Sequence, residues 1–135
     1  MKLHEQMVLT PHPGEAADML KVSTQEIQKN RIESAKKLQK KYNCIIVLKG
    51  HGTIICNKKE MYLCSSGGPE LAVAGTGDIL SGVIGSLIAQ GLAPLDAAIT
   101  GVGLHAQAGE NFATEVGRIG LAASELIPQI RKLLN

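Results

Sequence analysis

The chain has 135 residues, enough for one domain or part of one with a real apolar core. Its 44% hydrophobic and 19% charged content exclude a disordered chain. A net charge of +2, with two Tyr, one Phe and no Trp, gives no reason to expect a nucleic-acid or membrane partner.

Read in order, Met7-Val8-Leu9-Thr10 is a short strand arriving at the loop Pro11-His12-Pro13-Gly14-Glu15. A short helix over Ala16–Leu20 follows, with Pro13 in its first turn and Glu15 placed to favour the helix dipole. His12 therefore has two readings: a residue beside a helix cap, or part of a cleft where strand ends meet helix starts. Ser23 caps a long helix from about Thr24 to Lys41 that buries Ile27, Ala35 and Leu38. Its basic end, Lys36, Lys37, Lys40 and Lys41, is a solvated helix terminus. Cys44–Leu48 is a continuous apolar run rich in β-branched residues, the pattern of a strand covered on both faces. Following a helix, it points to a parallel sheet with crossover helices.

Lys49-Gly50-His51-Gly52-Thr53 turns the chain, and Thr53–Cys56 and Met61–Cys64 return as a meander. Lys49 and Thr53 flank backbone N–H groups suited to a nucleotide phosphate, although the GxxxxGK[ST] spacing of a P-loop is absent. Ser65–Glu70 is a loop leading to Ala74-Gly75-Thr76-Gly77-Asp78, around which the chain is organised. Ile79, Leu80, Val83, Ile84, Leu87 and Ile88 then recur with helical spacing, predicting a helix from Gly77 or Asp78 to Gly91. A glycine-rich approach to a helix N-terminus makes an anion site or simply a capped helix. A carboxylate beside such an anion site is unusual unless it handles a proton or a metal.

A further helix runs from Leu95 to about Phe112 with His105 packed inside it, and Leu121–Leu134 closes the chain, bent or restarted by Pro128. Cys44, Cys56 and Cys64 are odd in number and lack CxxC spacing, so they read as reduced residues in or near the core of a cytoplasmic protein. Met1–Gln6 has no apolar signal region, and Asp78, Gln90, Pro94 and Asp96 interrupt the longest apolar stretch.

Four separated segments resemble one family: Leu9-Thr10-Pro11-His12-Pro13-Gly14-Glu15, Val47-Leu48-Lys49-Gly50-His51-Gly52-Thr53, Gly68-Pro69-Glu70-Leu71-Ala72 and Ala74-Gly75-Thr76-Gly77-Asp78. The tail Gly120-Leu121-Ala122-Ala123-Ser124-Glu125-Leu126 matches as well. Together they are similar to the carboxyl-terminal portion of the ADP/ATP-dependent NAD(P)H-hydrate dehydratases of the ribokinase-like superfamily. The resemblance implies a three-layer α/β/α sandwich with a mostly parallel central sheet, incomplete at its N-terminus, with residues 1–135 forming one part of one domain. It implies repair of hydrated NADH or NADPH, whose hydroxyl is phosphorylated by ADP or ATP before phosphate leaves.

By the same resemblance Asp78 is the base, and Gly75, Thr76 and Gly77 supply N–H groups around the transferred phosphoryl. Lys49, Gly50, His51, Gly52, Thr53 and Gly77 face the adenine nucleotide. His12 and Asp78 face the hydrate, with Glu15 holding the loop or a magnesium-bound water. Mg²⁺ enters with the nucleotide and has no protein site of its own. A small-molecule kinase of the same superfamily would use Gly75–Asp78 equally well, and a subunit completed by another chain is the non-enzyme alternative. An open sheet edge predicts that the chain alone self-associates, as a homo-oligomer, or folds poorly, and that it shows no turnover by itself.

Overall fold

The computed structural model describes residues 3–135. Among these residues four strands form one sheet in the order β1-β2-β3-β4: β1 (Val8–Leu9), β2 (Ile45–Leu48), β3 (Thr53–Cys56) and β4 (Met61–Cys64). β1 pairs parallel with β2, placing Val8 opposite Ile45, whereas β2–β3 and β3–β4 are antiparallel. Within the described residues the sheet is thus mixed, and its parallel part is the β1–β2 pair.

Among the described residues six α-helices accompany the sheet: α1 (Pro13–Leu20), α2 (Thr24–Lys29), α3 (Arg31–Tyr42), α4 (Thr76–Ala89), α5 (Pro94–Glu115) and α6 (Leu126–Leu134). They form two layers around the sheet because successive strand residues point to opposite faces. Ile46, Leu48, Ile54 and Cys56 meet Ala16, Ala17, Ile27, Ala35 and Leu38 on one side. Ile45, Val47 and Ile55 meet Leu80, Ile84, Leu87, Ala97, Ala98 and Val102 on the other. A smaller cluster joins Ala108 and Phe112 of α5 to Leu121, Leu126 and Ile130. This is the three-layer α/β/α arrangement, with β2 buried along its whole length.

Several helix boundaries differ from the pattern-based expectation: α1 starts at Pro13 and α5 runs on to Glu115, and three further differences bear on the site or the core. The single helix over Thr24–Lys41 is two helices, broken at Asn30, whose φ −130°, ψ 54° lies outside the helical region. Ile27, Ala35 and Leu38 still face the core, so apolar spacing alone did not reveal the break. The last helix starts at Leu126, behind a 3-10 turn over Ala123–Glu125. Pro128 lies in its first turn, where a missing N–H costs no intrahelical bond. α4 begins at Thr76, slightly ahead of the expected start.

The carboxyl ends of β1 and β2, the start of β3 and the end of β4 share one edge of the sheet, with Thr53 opposite Cys64. The Lys49 N–H donates to Pro11 O at 2.9 Å, tying the loops after β1 and β2 together. The Thr10 hydroxyl meets that of Ser81 at 3.1 Å, which brings the N-terminal half of α4 to the same edge. No helix is long and apolar enough to cross a membrane among the described residues.

Candidate functional site

Two adjoining clefts open at this edge. The first, of about 480 Å³, is lined by Lys49, Gly50, His51, Gly52, Thr53 and Gly77, with Cys64, Leu71, Val102 and Ala106 among its apolar walls. The second, of about 370 Å³, is lined by His12, Glu15, Gly75, Thr76, Gly77 and Asp78. Lys49, Gly50, Leu71, Thr76 and Gly77 line both and form the wall between them. The six residues expected to face a nucleotide thus share one cleft. His12 and Asp78 share the other.

The wall is built from the start of α4. Gly75 is the N-cap with φ 91°, a left-handed conformation that a residue with a Cβ adopts only under strain. The Thr76 side chain turns inward, 6% exposed for the residue, and its hydroxyl donates to Leu71 O at 2.7 Å and Val73 O at 3.0 Å. Its N–H also points back, to Val73 O at 3.4 Å. The N–H groups of Gly75, Gly77 and Asp78 have no partner among the described residues. Open amides at a helix N-terminus, where the dipole adds partial positive charge, form an anion cradle. The set offered is therefore Gly75, Gly77 and Asp78, with Thr76 holding the turn beneath them.

Lys49 reaches this cradle from β2. A Cβ built on Gly77 would lie 2.7 Å from Lys49 Nζ, so the absence of a side chain is what lets the ammonium approach the helix start. Lys49 has no salt-bridge partner among the described residues. His105 supports the same turn from α5, with Nε2 2.9 Å from Thr76 O. Burial holds its imidazole below the ordinary histidine range, against the opposing pull of the Thr76 bond and with further help from Lys49. The packed, hydrogen-bonded role expected for His105 is the one it occupies.

His12 caps α1. Its Nδ1 accepts from the Glu15 N–H at 3.1 Å, while Glu15 Oε2 accepts from the His12 N–H at 2.8 Å, a reciprocal capping box. With Nδ1 accepting, the ring proton of the neutral side chain sits on Nε2. Glu15 therefore holds the loop, and His12 serves the cap while lining the second cleft. Asp78 occupies the first turn of α4, exposed at the same cleft.

Sequence reasoning missed Arg31. Its guanidinium donates to the carbonyls of Leu48, Lys49 and Gly52, far away in the chain, and no local pattern signals that contact. The Thr53 hydroxyl closes the same loop onto Gly50 O at 3.2 Å. Among the described residues no three His, Cys, Asp or Glu side chains converge to hold a metal.

The family model for NAD(P)H-hydrate dehydratase matches residues 1–132. A bifunctional NAD(P)H-hydrate repair enzyme from Coxiella burnetii is 46% identical over 132 residues, 97% of this chain and 27% of that protein. An ADP-dependent (S)-NAD(P)H-hydrate dehydratase from Neisseria meningitidis is 40% identical over 131 residues, 96% of this chain and 44% of that protein. The crystal structure of an ADP/ATP-dependent NAD(P)H-hydrate dehydratase from Bacillus subtilis, co-crystallised with ATP and Mg²⁺ and soaked with CoA, superposes with a TM-score of 0.90 at 35% identity. That likeness covers 94% of this chain and 47% of the Bacillus chain. The ribokinase-like architecture extends to more distant solved structures. This chain spans less than half the length of each relative described. Across almost its whole length, and in the segments that build both clefts, the chain belongs to the NAD(P)H-hydrate dehydratase family.

Proposed function

We propose that this chain forms the nucleotide- and hydrate-facing part of an ADP-dependent NAD(P)H-hydrate dehydratase. The wall shared by the two clefts carries this reading: the anion cradle Gly75 to Asp78 lines the second cleft, and its Thr76 and Gly77 line the first as well. A phosphoryl donor in the first cleft and a hydroxyl acceptor in the second would meet across it. That is the geometry phosphoryl transfer needs, with both reactants positioned and the charge between them stabilised.

The nucleotide lies along Lys49–Thr53 with its terminal phosphoryl at Gly77, and the hydrate lies between His12 and Asp78. The hydrate oxygen forms a bond to phosphorus as the bond to the departing nucleotide oxygen breaks, and Asp78 takes the hydroxyl proton. The open N–H groups and the Lys49 ammonium hold the charge that gathers on the phosphoryl oxygens. Phosphate then departs with the carbon–oxygen electron pair, and an adjacent ring proton passes to water to restore the double bond. Phosphorylation matters because hydroxide is a poor leaving group at neutral pH and phosphate is a good one.

Mg²⁺ fits this site as a companion of the nucleotide phosphates, since Glu15 and Asp78 are the only carboxylates lining either cleft among the described residues. Bound there, it would neutralise phosphate charge. The outer strands β1 and β4 each have one unpaired side among the described residues, and β4 turns Leu63 outward at 64% exposure. Both features favour self-association into a homo-oligomer.

Calorimetry with Mg·ADP and an assay of reduced-nicotinamide recovery from NADH hydrate test the proposal together. Saturable ADP binding with ADP-dependent recovery supports it. A stable phosphorylated product would reveal a kinase. Binding without turnover, restored by adding a second polypeptide, would mark this chain as one subunit of the catalyst.

A further inference from the structure

We infer that Arg31 is a positioning residue for the first cleft, shaping the Lys49–Gly52 loop so that it can grip a polyphosphate. The inference rests on the nucleotide reading above. Arg31 is the first residue of α3, directly after the break at Asn30. A cation at a helix N-terminus opposes the helix dipole, so this site needs other contacts to hold it. Those contacts are four acceptors. Nη2 donates to Gly52 O at 2.9 Å and Leu48 O at 3.3 Å, while Nη1 donates to Gln28 Oε1 at 2.8 Å and Lys49 O at 3.4 Å.

Three of the four are backbone carbonyls of one loop and the strand end before it. With these carbonyls gathered on Arg31, the N–H groups of Gly50, His51 and Gly52 are left without a partner among the described residues. All three residues line the first cleft. Gly50 lies directly over the guanidinium, where an added Cβ would be 2.8 Å from Nη1. The guanidinium is partly buried and has no carboxylate partner among the described residues. Its charge is therefore left unneutralised behind the cleft wall, adding to that of Lys49. The planar fork reaches these acceptors from two nitrogens in fixed geometry; a lysine ammonium keeps the charge but offers a single nitrogen.

The test compares Mg·ADP affinity, measured by calorimetry, in wild type, Arg31→Lys and Arg31→Ala. Thermal unfolding and amide exchange of β2 and β3 serve as controls for the fold. We expect Arg31→Ala to bind at least about tenfold more weakly, Arg31→Lys to fall between, and β2 and β3 to stay protected. ADP should slow exchange at Gly50–Gly52 in wild type and not in Arg31→Ala. Arg31→Ala within twofold of wild type, or Arg31→Lys equal to it, overturns the inference while leaving the nucleotide reading intact. Wild type that binds no ADP overturns the nucleotide reading and this inference with it. If Arg31→Ala loses its cooperative transition, Arg31→Lys alone decides, by the same intermediate affinity or by equality with wild type.

Discussion

The two clefts share a wall and differ in what faces it. Among the described residues no Asp or Glu lines the first, which is walled by Lys49, the glycine-rich Gly50–Gly52 loop and the apolar Leu71, Val102 and Ala106. The second brings two carboxylates, Glu15 and Asp78, together with His12. A polyphosphate is repelled by carboxylates, and a proton acceptor is useless without one. On the function proposed above, the difference gives anion binding to one side and proton handling to the other, with the N-terminus of α4 between them. It also means that the two functions can be disabled separately.

The sharpest break is at Asp78. Asp78→Asn removes the proposed proton acceptor on the second side, and turnover of NADH hydrate is expected to fall by about two to four orders of magnitude. Mg·ADP binding, measured by calorimetry, is expected to remain. Loss of both, or of neither, would erase the proposed division between the clefts.

The converse variant is Lys49→Met, which removes the unpaired ammonium from the first side. Mg·ADP affinity is expected to drop about 10- to 100-fold, with the fold retained by circular dichroism. Unchanged affinity would place the phosphates elsewhere.

The wall itself is tested by Thr76→Val, nearly the same shape without the hydroxyl that bonds Leu71 O and Val73 O. Chemical denaturation is expected to show a loss of about 1–2 kcal/mol. Both clefts should weaken together, unlike the two variants above.

A smaller effect belongs to His105, whose neutral form the fold favours through burial. A histidine pKa lowered on folding contributes stability that is present above its ordinary value of 6.5 and lost as pH falls below it. Thermal unfolding of wild type between about pH 7 and pH 5 is expected to steepen relative to His105→Gln. Equal pH profiles would show that His105 is not held neutral by the packing.

The smallest expected effect is at the cysteines. Cys44 and Cys56 are buried, and burial together with neighbouring Cys44 pushes the Cys56 thiol up to about 11. Cys64 is partly exposed on the first cleft. A chromogenic thiol reagent is expected to modify one cysteine in the native protein, several-fold more slowly with Mg·ADP present. Modification indifferent to ADP would move the nucleotide away from Cys64.

Much of this was legible in the chain itself. The apolar run Cys44–Leu48 specified a strand covered on both faces because every residue in it avoids water, whichever face it takes. Gly75-Thr76-Gly77-Asp78 before a periodic apolar stretch specified a helix start with open amides, since backbone conformation and orphan N–H groups are local properties. Less local features did not show. The break at Asn30 leaves the apolar spacing of Ile27, Ala35 and Leu38 compatible with one continuous helix.

Tertiary structure alone decided that Arg31 would hold a loop eighteen residues away, that Thr76 would turn its hydroxyl inward, and that Lys49 would stand over Gly77. Each depends on where the chain returns in space. Sequence patterning records which residues avoid water and which turns the backbone can make. Which carbonyl meets which donor is settled only when sheet and helices pack, because a buried polar group must find its partner among whatever the fold brings near.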